Sequence, residues 1–539
     1  MAEEERFSRK KHDSGFPLLA IDFVLRKANL KAGDLDWIVF YEKPFLKFER
    51  IIKTSLETFP CAAGVFRESI KHLFLDKLWI RQLISSGLKV NPEKILFSNH
   101  HLSHAASAFF CSPYDKAAIL TVDGVGEWAT TALSVGKGNR IDILEEIHFP
   151  DSLGLLYSAF TAFLGFEVNE GEYKVMGMAP YGTPRYVDKV KKLTKLFDDS
   201  SFKLNLNYFN FQKSLSETFS KKIVGLFGKP RDKNSHFFTR SVGWPSYFGP
   251  KSEGEGYLKL AEEQEYYADI AASIQIVLEE HLIALASHLY KLTGVDKLCL
   301  AGGVALNSVA NWKIHELTPF KQIYIQPAAS DAGGALGAAL ALHHMVFDKK
   351  RKFVMEHGYF GAEYSNQEIE KSIQDKQLSY KFVPEEKRLL DIVSDDLAEG
   401  KVIGWFQGSF EWGPRALGHR SILADPRKAE MKDIVNMKIK FREPYRPFAP
   451  SVLAEYAEDF FEMPDPKSHY PARFMIYVVP VKKDKQGVVP AITHVDGSAR
   501  PQLVFKEKSP LYWELINRFR EKTSVPMLLN TSFNLRGEP

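Results

Sequence analysis

Cysteine is scarce: Cys61, Cys111 and Cys299 are the only three in 539 residues, and no two form a CxxC pair. That argues against a cysteine zinc site and a disulfide framework and points to a reducing compartment. Long apolar runs are missing too, since none approaches the ~20 residues that a membrane span requires. The opening stretch Met1–Lys10 is charged rather than apolar, unlike a secretory leader. A charge excess is the third absence. A net charge of +4 over the whole chain is close to balance, which argues against nucleic acid as a partner while leaving room for a local basic pocket. The expectation is a cytoplasmic protein with neither a membrane nor a nucleic-acid partner.

What is present is an ordinary globular composition, 45% hydrophobic and 26% charged, in a chain too long for one core. Apolar strands alternate with helical stretches over residues 1–345, the pattern of an α/β sheet domain. The strands fall at Asp36–Glu42, Lys94–Asn99, Ala117–Asp123, Lys297–Gly303 and Gln322–Pro327. The clearest helix runs from Gln264 to Leu292, with Ile270, Ile274, Val277, Leu278, Leu282 and Leu285 at helical spacing, a core-packing stripe. From Arg185 to Tyr257 the periodicity fades into Lys, Phe, Ser, Asn and Pro, as in an insertion or lid over a cleft. The polar seam Phe347–Lys352 marks a boundary. A second α/β domain covers 353–539, with a strand at Lys401–Gln407 and a dense set of basic motifs after it.

The first candidate chemistry lies in Asn99-His100-His101-Leu102-Ser103-His104, which follows a strand and opens a helix. Residues four apart project from one helical face, so His100 and His104 can grip one metal ion. The next strand ends in Asp123-Gly124-Val125-Gly126, and Asp331 follows the strand that ends near Pro327. Open α/β sheets place ligand sites at that edge. Either aspartate alone reads as a turn or cap; two His and two Asp together suit Fe, Mn or Zn. The glycine turns Ala301–Asn307 and Ala332–Gly337 each follow a strand and enter a helix. Such turns let backbone N–H groups approach phosphates, the general design of the actin, sugar-kinase and chaperone-type ATPase fold.

Asn99-His100-x-x-x-His104, Ala301-Gly302-Gly303-Val304-x-x-Asn307 and Asp331-x-Gly333 resemble the metal and nucleotide motifs of the tRNA threonylcarbamoyl-transferase domain. Glu4–Asp13, Gly171–Gly177, Trp412–Ser421, Arg442–Pro450 and Asn530–Asn534 are more similar still to the carbamoyltransferases of nodulation-factor and antibiotic biosynthesis. This resemblance covers essentially the whole chain in order. It implies a metal, iron in preference to manganese or zinc, on His100, His104, Asp123 and Asp331. Gly302, Gly303, Asn307 and Gly334 would line a nucleotide site with Glu172 and Lys174 near it. The second domain would be a threonylcarbamoyl-AMP-synthase-like α/β fold that binds carbamoyl phosphate and ATP (with Mg) and forms an adenylate. In that family a strand, a phosphate turn and a short histidine-aspartate motif precede the Glu-Glu-Arg-Phe-Ser-Arg segment, and a tail follows. The expectation is that this chain lacks those ends and transfers poorly for that reason.

Arg415, Arg420, Lys438, Lys440, Arg442, Arg446, Arg500 and Arg536 lie in short segments rich in Gly or Pro. Proline fixes the backbone that aims such side chains, and guanidinium forks bind phosphate oxygens bidentately. Arg415 and Arg446 are the expected catalytic arginines, with Lys174 assigned a catalytic part in the first domain. Lys440, Arg442, Arg500, Asn530 and Ser532 are expected to hold cofactor. His419 is a proton shuttle or a phosphate contact. The expected reaction is transfer of a carbamoyl group through carbamoyl-AMP onto a hydroxyl of a small molecule or glycan. Two other readings stand beside it: a tRNA threonylcarbamoyl transferase, and a non-catalytic nucleotide-binding module of the actin type.

Overall fold

Small and β-branched residues fill Lys116–Val122 (β3), and every one after Lys116 is buried, as a strand covered on both faces must be. Around β3 a mixed sheet forms in the computed structural model, which describes residues 1–60, 64, 79–214, 216–240, 255–443, 445–535 and 537–539. Cys61, residues 241–254 of the expected lid, Pro444 and Arg536 lie outside the described residues. Ile38–Phe40 (β1) and Ile95–Phe97 (β2) pair in parallel. Ala129–Lys137 (β4), Arg140–His148 (β5), Lys297–Ala301 (β6) and Gln322–Ile325 (β7) join β3 in the order β5-β4-β3-β6-β7. The hairpin strands are antiparallel, while β6 runs parallel to β3 and β7 parallel to β6. Three antiparallel strands followed by two parallel ones is the α/β arrangement expected of an actin-type half-domain. The hairpin β4–β5 was not anticipated; it turns at Gly138, whose φ is +56°, a glycine signal of the two-residue turn.

The helix Glu255–Thr293 spans the core behind this sheet. It is long and apolar enough to cross a bilayer, yet 72% of its most apolar window is buried inside the protein. Its buried Asp269, Gln275, Glu279 and His281 bond neighbouring residues, which marks it as a core helix.

The chain divides into two units, Leu30–Val354 and Met1–Asn29 with Met355–Pro539. In this division Met1–Asn29 joins the unit that begins at Met355 rather than the residues that follow it in the chain. Arg6 donates to Gly413 O at 3.3 Å and Lys27 to Gly361 O at 3.4 Å. Glu4 accepts from Leu19 N and Ala20 N at 3.2 and 2.8 Å, capping the helix Leu18–Ala28. In this unit Ile403–Phe406 (β8), Arg420–Ala424 (β9), Ala449–Leu453 (β10), Gln502–Val504 (β11) and Met527–Ser532 (β12) form a mixed sheet. Its order is β8-β9-β12-β10-β11, antiparallel except for β10–β11.

Candidate metal centre and cationic site

Parallel pairing sets the first site. Thr121 of β3 aligns with Ala301 of β6, so Asp123 and the Gly302 turn leave the sheet at one edge. Gly302 takes φ +92°, and a Cβ there would lie 2.2 Å from Val122 O. Its N–H donates to Ala329 O at 2.7 Å, which ties the turn to the loop that delivers Asp331. The helices His100–Phe109 and Asp331–Ala341 meet closely, because a Cβ on Gly337 would lie 1.7 Å from Ser103 O.

At this edge His100, His104, Asp123 and Asp331 bring four ligand atoms within 4.8 Å of one another. His100 Nε2 and His104 Nε2 stand 3.1 Å apart and lie 3.1 and 3.0 Å from the same oxygen, Asp123 Oδ2. Asp331 Oδ1 is 3.7 and 3.5 Å from the two rings. Both Nδ1 atoms are buried without a hydrogen-bond partner, so the polar commitments of both rings converge at Nε2. Such a convergent N₂O₂ set fits a divalent cation. The histidines are buried, whereas the Asp331 side chain is 58% exposed, leaving that side open. Burial favours a neutral His104, but its bonds to Asp123 and Asp331 outweigh this and push its pKa up to about 9. Burial likewise opposes ionisation of Asp123, yet the two histidines hold its carboxyl well below the usual range. A cation would replace the proton that now offsets this charge.

Neighbours absent from the sequence reading complete the centre. Glu127 accepts from His100 N at 3.1 Å and from Lys43 N at 2.7 Å, so one carboxylate fixes the helix start beside Tyr41. His101 donates or accepts at both ring nitrogens, with Thr121 Oγ1 at 2.7 Å and Ala129 O at 2.9 Å. Glu127 closes the Asp-Gly-Val-Gly-Glu run, a signal that could have been read.

The expected nucleotide residues are placed more diversely. Gly303 N donates to Asp123 Oδ1 at 3.3 Å. Gly334 lets its helix approach Tyr41, since a Cβ would lie 2.8 Å from that ring. Asn307 caps the helix Ser308–Leu317 and exchanges two 3.0 Å bonds with Gln275. Gln275 also accepts from Tyr157 OH at 2.9 Å. Glu172 accepts from Ser158 Oγ and Asn169 N, both at 2.9 Å, and Lys174 stands over the Phe166 ring at 5.5 Å.

The second site lies in the other unit. Glu411 Oε1 accepts from Leu417, His419 and Arg420 N–H at 2.8, 3.0 and 3.2 Å, shaping the Gly-Pro-Arg-Ala-Leu-Gly loop from within. That carboxylate was missed, because a lone acid carries no spacing signature. Burial, with Arg415 and Arg442 nearby, pulls the Arg500 guanidinium well below its ordinary pKa, and Arg500 Nε is buried without a hydrogen-bond partner. Burial with Arg442 and Arg446 lowers Lys440 to about 7. Its Nζ lies 2.7 Å from both Ser532 O and Asn534 O. Arg446 pairs with Glu443. Asn530 Nδ2 donates to Ser451 Oγ at 2.9 Å and Ala416 O at 3.1 Å, bracing the loop rather than facing outward. His419 is fully used: Nδ1 lies 2.9 Å from Ser409 O, Nε2 lies 3.0 Å from Ser509 Oγ, and its ring stacks 3.6 Å from Tyr359. A proton shuttle or phosphate contact at His419 would first have to break one of these bonds.

The α/β fold thus carries a convergent His/Asp centre in one unit and a group of buried and half-buried cations in the other. The comparisons make the class specific: residues 1–340 match the family described as carbamoyltransferase N-terminus and 394–539 the carbamoyltransferase C-terminus, so the chain belongs to the carbamoyltransferase family and is an enzyme that transfers a carbamoyl group. The uncharacterized protein sll1178 of Synechocystis is 44% identical over all of this chain and 88% of its own. Nodulation protein NolNO of Sinorhizobium fredii is 38% identical over all of this chain and 72% of its own. Nodulation protein NolO of Bradyrhizobium diazoefficiens is 38% identical over 82% and 73%. HypF of T. kodakarensis matches 49% of this chain and 38% of its own at 17% identity and a TM-score of 0.25, too low to bear on the fold.

Proposed function

We propose that this enzyme draws its carbamoyl group from carbamoyl phosphate, activates it with ATP as carbamoyl-AMP, and transfers it to a hydroxyl of a small molecule or glycan. The observation that carries this reading is the gathering of Arg415, Arg420, Lys440, Arg442, Arg446 and Arg500 in one unit, where burial with Arg442, Arg446 and Arg420 lowers the pKa of Lys440 and burial with Arg415 and Arg442 lowers that of Arg500. Cations held so close are stabilised by a multiply charged anion. Carbamoyl phosphate and the triphosphate of ATP are such anions. Carbamoyl phosphate loses inorganic phosphate to water, and the carbamate oxygen then attacks the α-phosphorus of ATP, forming carbamoyl-AMP and expelling pyrophosphate. Arg415 and Arg446 offset the charge that develops on the phosphoryl oxygens. The second unit corresponds in this scheme to the threonylcarbamoyl-AMP-synthase-like domain.

Transfer belongs to the Leu30–Val354 unit. His100, His104, Asp123 and Asp331 would hold a divalent ion, iron(II) in preference to manganese or zinc, which when bound supplies Lewis-acid polarisation of a carbonyl oxygen. Gly302 and Gly303 bring backbone beside Asp123 for the nucleotide, and the Tyr157–Gln275–Asn307 network holds that turn still. The buried free thiols of Cys111 and Cys299, which burial pushes up to about 12, suit a reducing, cytoplasmic setting.

The test is exchange of labelled pyrophosphate into ATP, with and without carbamoyl phosphate. Exchange that requires carbamoyl phosphate, disappears in Arg446→Ala and survives in His104→Ala supports the scheme. Equal loss in both variants would overturn the division between units.

A further inference from the structure

The first helix of the chain is the feature that the reaction scheme leaves unused. Glu5–Ser8 forms one helical turn and Arg9 closes it with φ +59°. Arg6 is held by Glu3 at 3.1 Å and Glu5 at 3.6 Å, and from that grip it donates to Gly413 O. Gly413 has φ +99° and begins the Gly-Pro-Arg turn that carries Arg415. Arg9 pairs with Glu538 at 3.4 Å, with side chains 48% and 42% exposed. An ion pair so exposed is weak and easily exchanged. Arg420 lies between: Arg6 and Arg9 both act on it electrostatically, and its Nε and Nη1 are buried without a hydrogen-bond partner. Phe533 N donates to Arg420 O at 3.1 Å, and Lys440 Nζ donates to the next residue's carbonyl, Asn534 O, at 2.7 Å. Arg9, Arg420 and Lys440 are therefore all joined to the segment that holds Phe533, Asn534 and Glu538, beside the turn that Arg6 holds.

We propose that residues Glu3–Arg9 form one wall of the phosphate site in the Met355–Pro539 unit, with Arg9 and Arg420 taking the outer end of a di- or triphosphate and Arg6 acting as a positioning residue for the Arg415 turn. This rests on the reading of that unit as a phosphate site. Several cations joined to one segment match a di- or triphosphate better than a single phosphate, because each added phosphoryl group can meet another cation. Arg9 gives up only a solvent-screened partner when it turns to the ligand. Arg6, by contrast, keeps its bond to Gly413 throughout and never touches the ligand.

The experiment is calorimetric titration of the whole protein with inorganic pyrophosphate and, separately, with inorganic phosphate. Arg9→Glu should weaken pyrophosphate binding at least tenfold and phosphate binding less than threefold, with the exposed Lys381→Glu as a control for net charge. Arg6→Ala should weaken both ligands, and Arg6→Lys, which can still donate to Gly413 O, should recover most of the loss. Pyrophosphate binding within twofold of wild type in Arg9→Glu, or no binding by wild type, overturns the proposal. Carbamoyl-phosphate-dependent exchange is measured on the same preparations. Exchange without an Arg9 effect on binding sinks the wall alone, whereas an Arg9 effect without exchange sinks the carbamoyl phosphate reading and keeps the wall.

Discussion

Replacing Gly302 by alanine should damage stability and metal binding together. The backbone sits at φ +92°, where an L-residue is strained by about 1–3 kcal/mol. The new Cβ would also lie 2.2 Å from Val122 O and 2.7 Å from Val122 C. Those are backbone atoms of the central strand and cannot swing aside, so overpacking adds about 1–3 kcal/mol. A total of ~4 kcal/mol follows from these two ranges. For a unit spanning Leu30–Val354, an unfolding entropy of about 2.1 cal/mol/K per residue makes 1 kcal/mol worth roughly 1.5 °C. The expected fall in Tm is therefore about 6 °C. Gly294 supplies the control, with φ +62° and nothing within 4 Å of a Cβ; its alanine variant should lose only about 1–2 °C. Because Val122 precedes Asp123 and Gly302 N holds Ala329 O, the push also moves both carboxylate loops. Calorimetric melts with elemental analysis check both parts. A Gly302→Ala protein that melts no lower than Gly294→Ala and keeps its metal would refute the reasoning.

The double variant His100→Ala, His104→Ala should lose bound metal and carbamoyl transfer while retaining the fold; unchanged metal stoichiometry by elemental analysis would count against the assignment. Burial, with His100 and His104 adjacent, lowers the pKa of His101 to about 3, below the unfolded value of ~6.5. The native state then binds fewer protons, so the stability contributed by neutral His101 is complete above pH ~6.5 and is lost as pH falls toward 3. Urea unfolding of His101→Gln should accordingly show a shallower decline over that window than wild type. Glu411→Ala strands three backbone donors and should lower stability by several kcal/mol at ~1–3 each, with pyrophosphate exchange falling further than it does in Glu411→Gln.

The His/Asp cluster was legible because its placement is local. Helical spacing alone aligns His100 with His104, and an aspartate just past a strand end must lie at the sheet edge. The six expected strands all appear, trimmed at their ends. Hairpin β4–β5 escaped because β5 is an edge strand in which Asp142, Glu145 and Glu146 are exposed, which hides the period of two. Strands β9–β12 escaped because motif residues interrupt their apolar runs. Asn530 Nδ2 reaches Ala416 O and Ser451, while both ring nitrogens of His419 are bonded to Ser409 and Ser509, pairings that no spacing in the sequence announces. Nothing in residues 1–29 could reveal which core they join, since an amphipathic helix such as Leu18–Ala28 suits any apolar surface.

That last assignment has a consequence for how the protein is made. Residues Met1–Asn29 are made before the Leu30–Val354 unit, but their partners begin at Met355. At about 5–20 residues per second, synthesis takes of order a quarter of a minute to a minute to cross that interval. The Leu30–Val354 unit can complete its sheet in that time, while Phe7 and Phe23, whose rings lie 5.4 Å apart in the finished structure, wait beside it without the surface they are meant to join. Folding of the second unit thus waits on translation past Met355, and a nascent chain halted before that point would present Met1–Asn29 to chaperones without its partner.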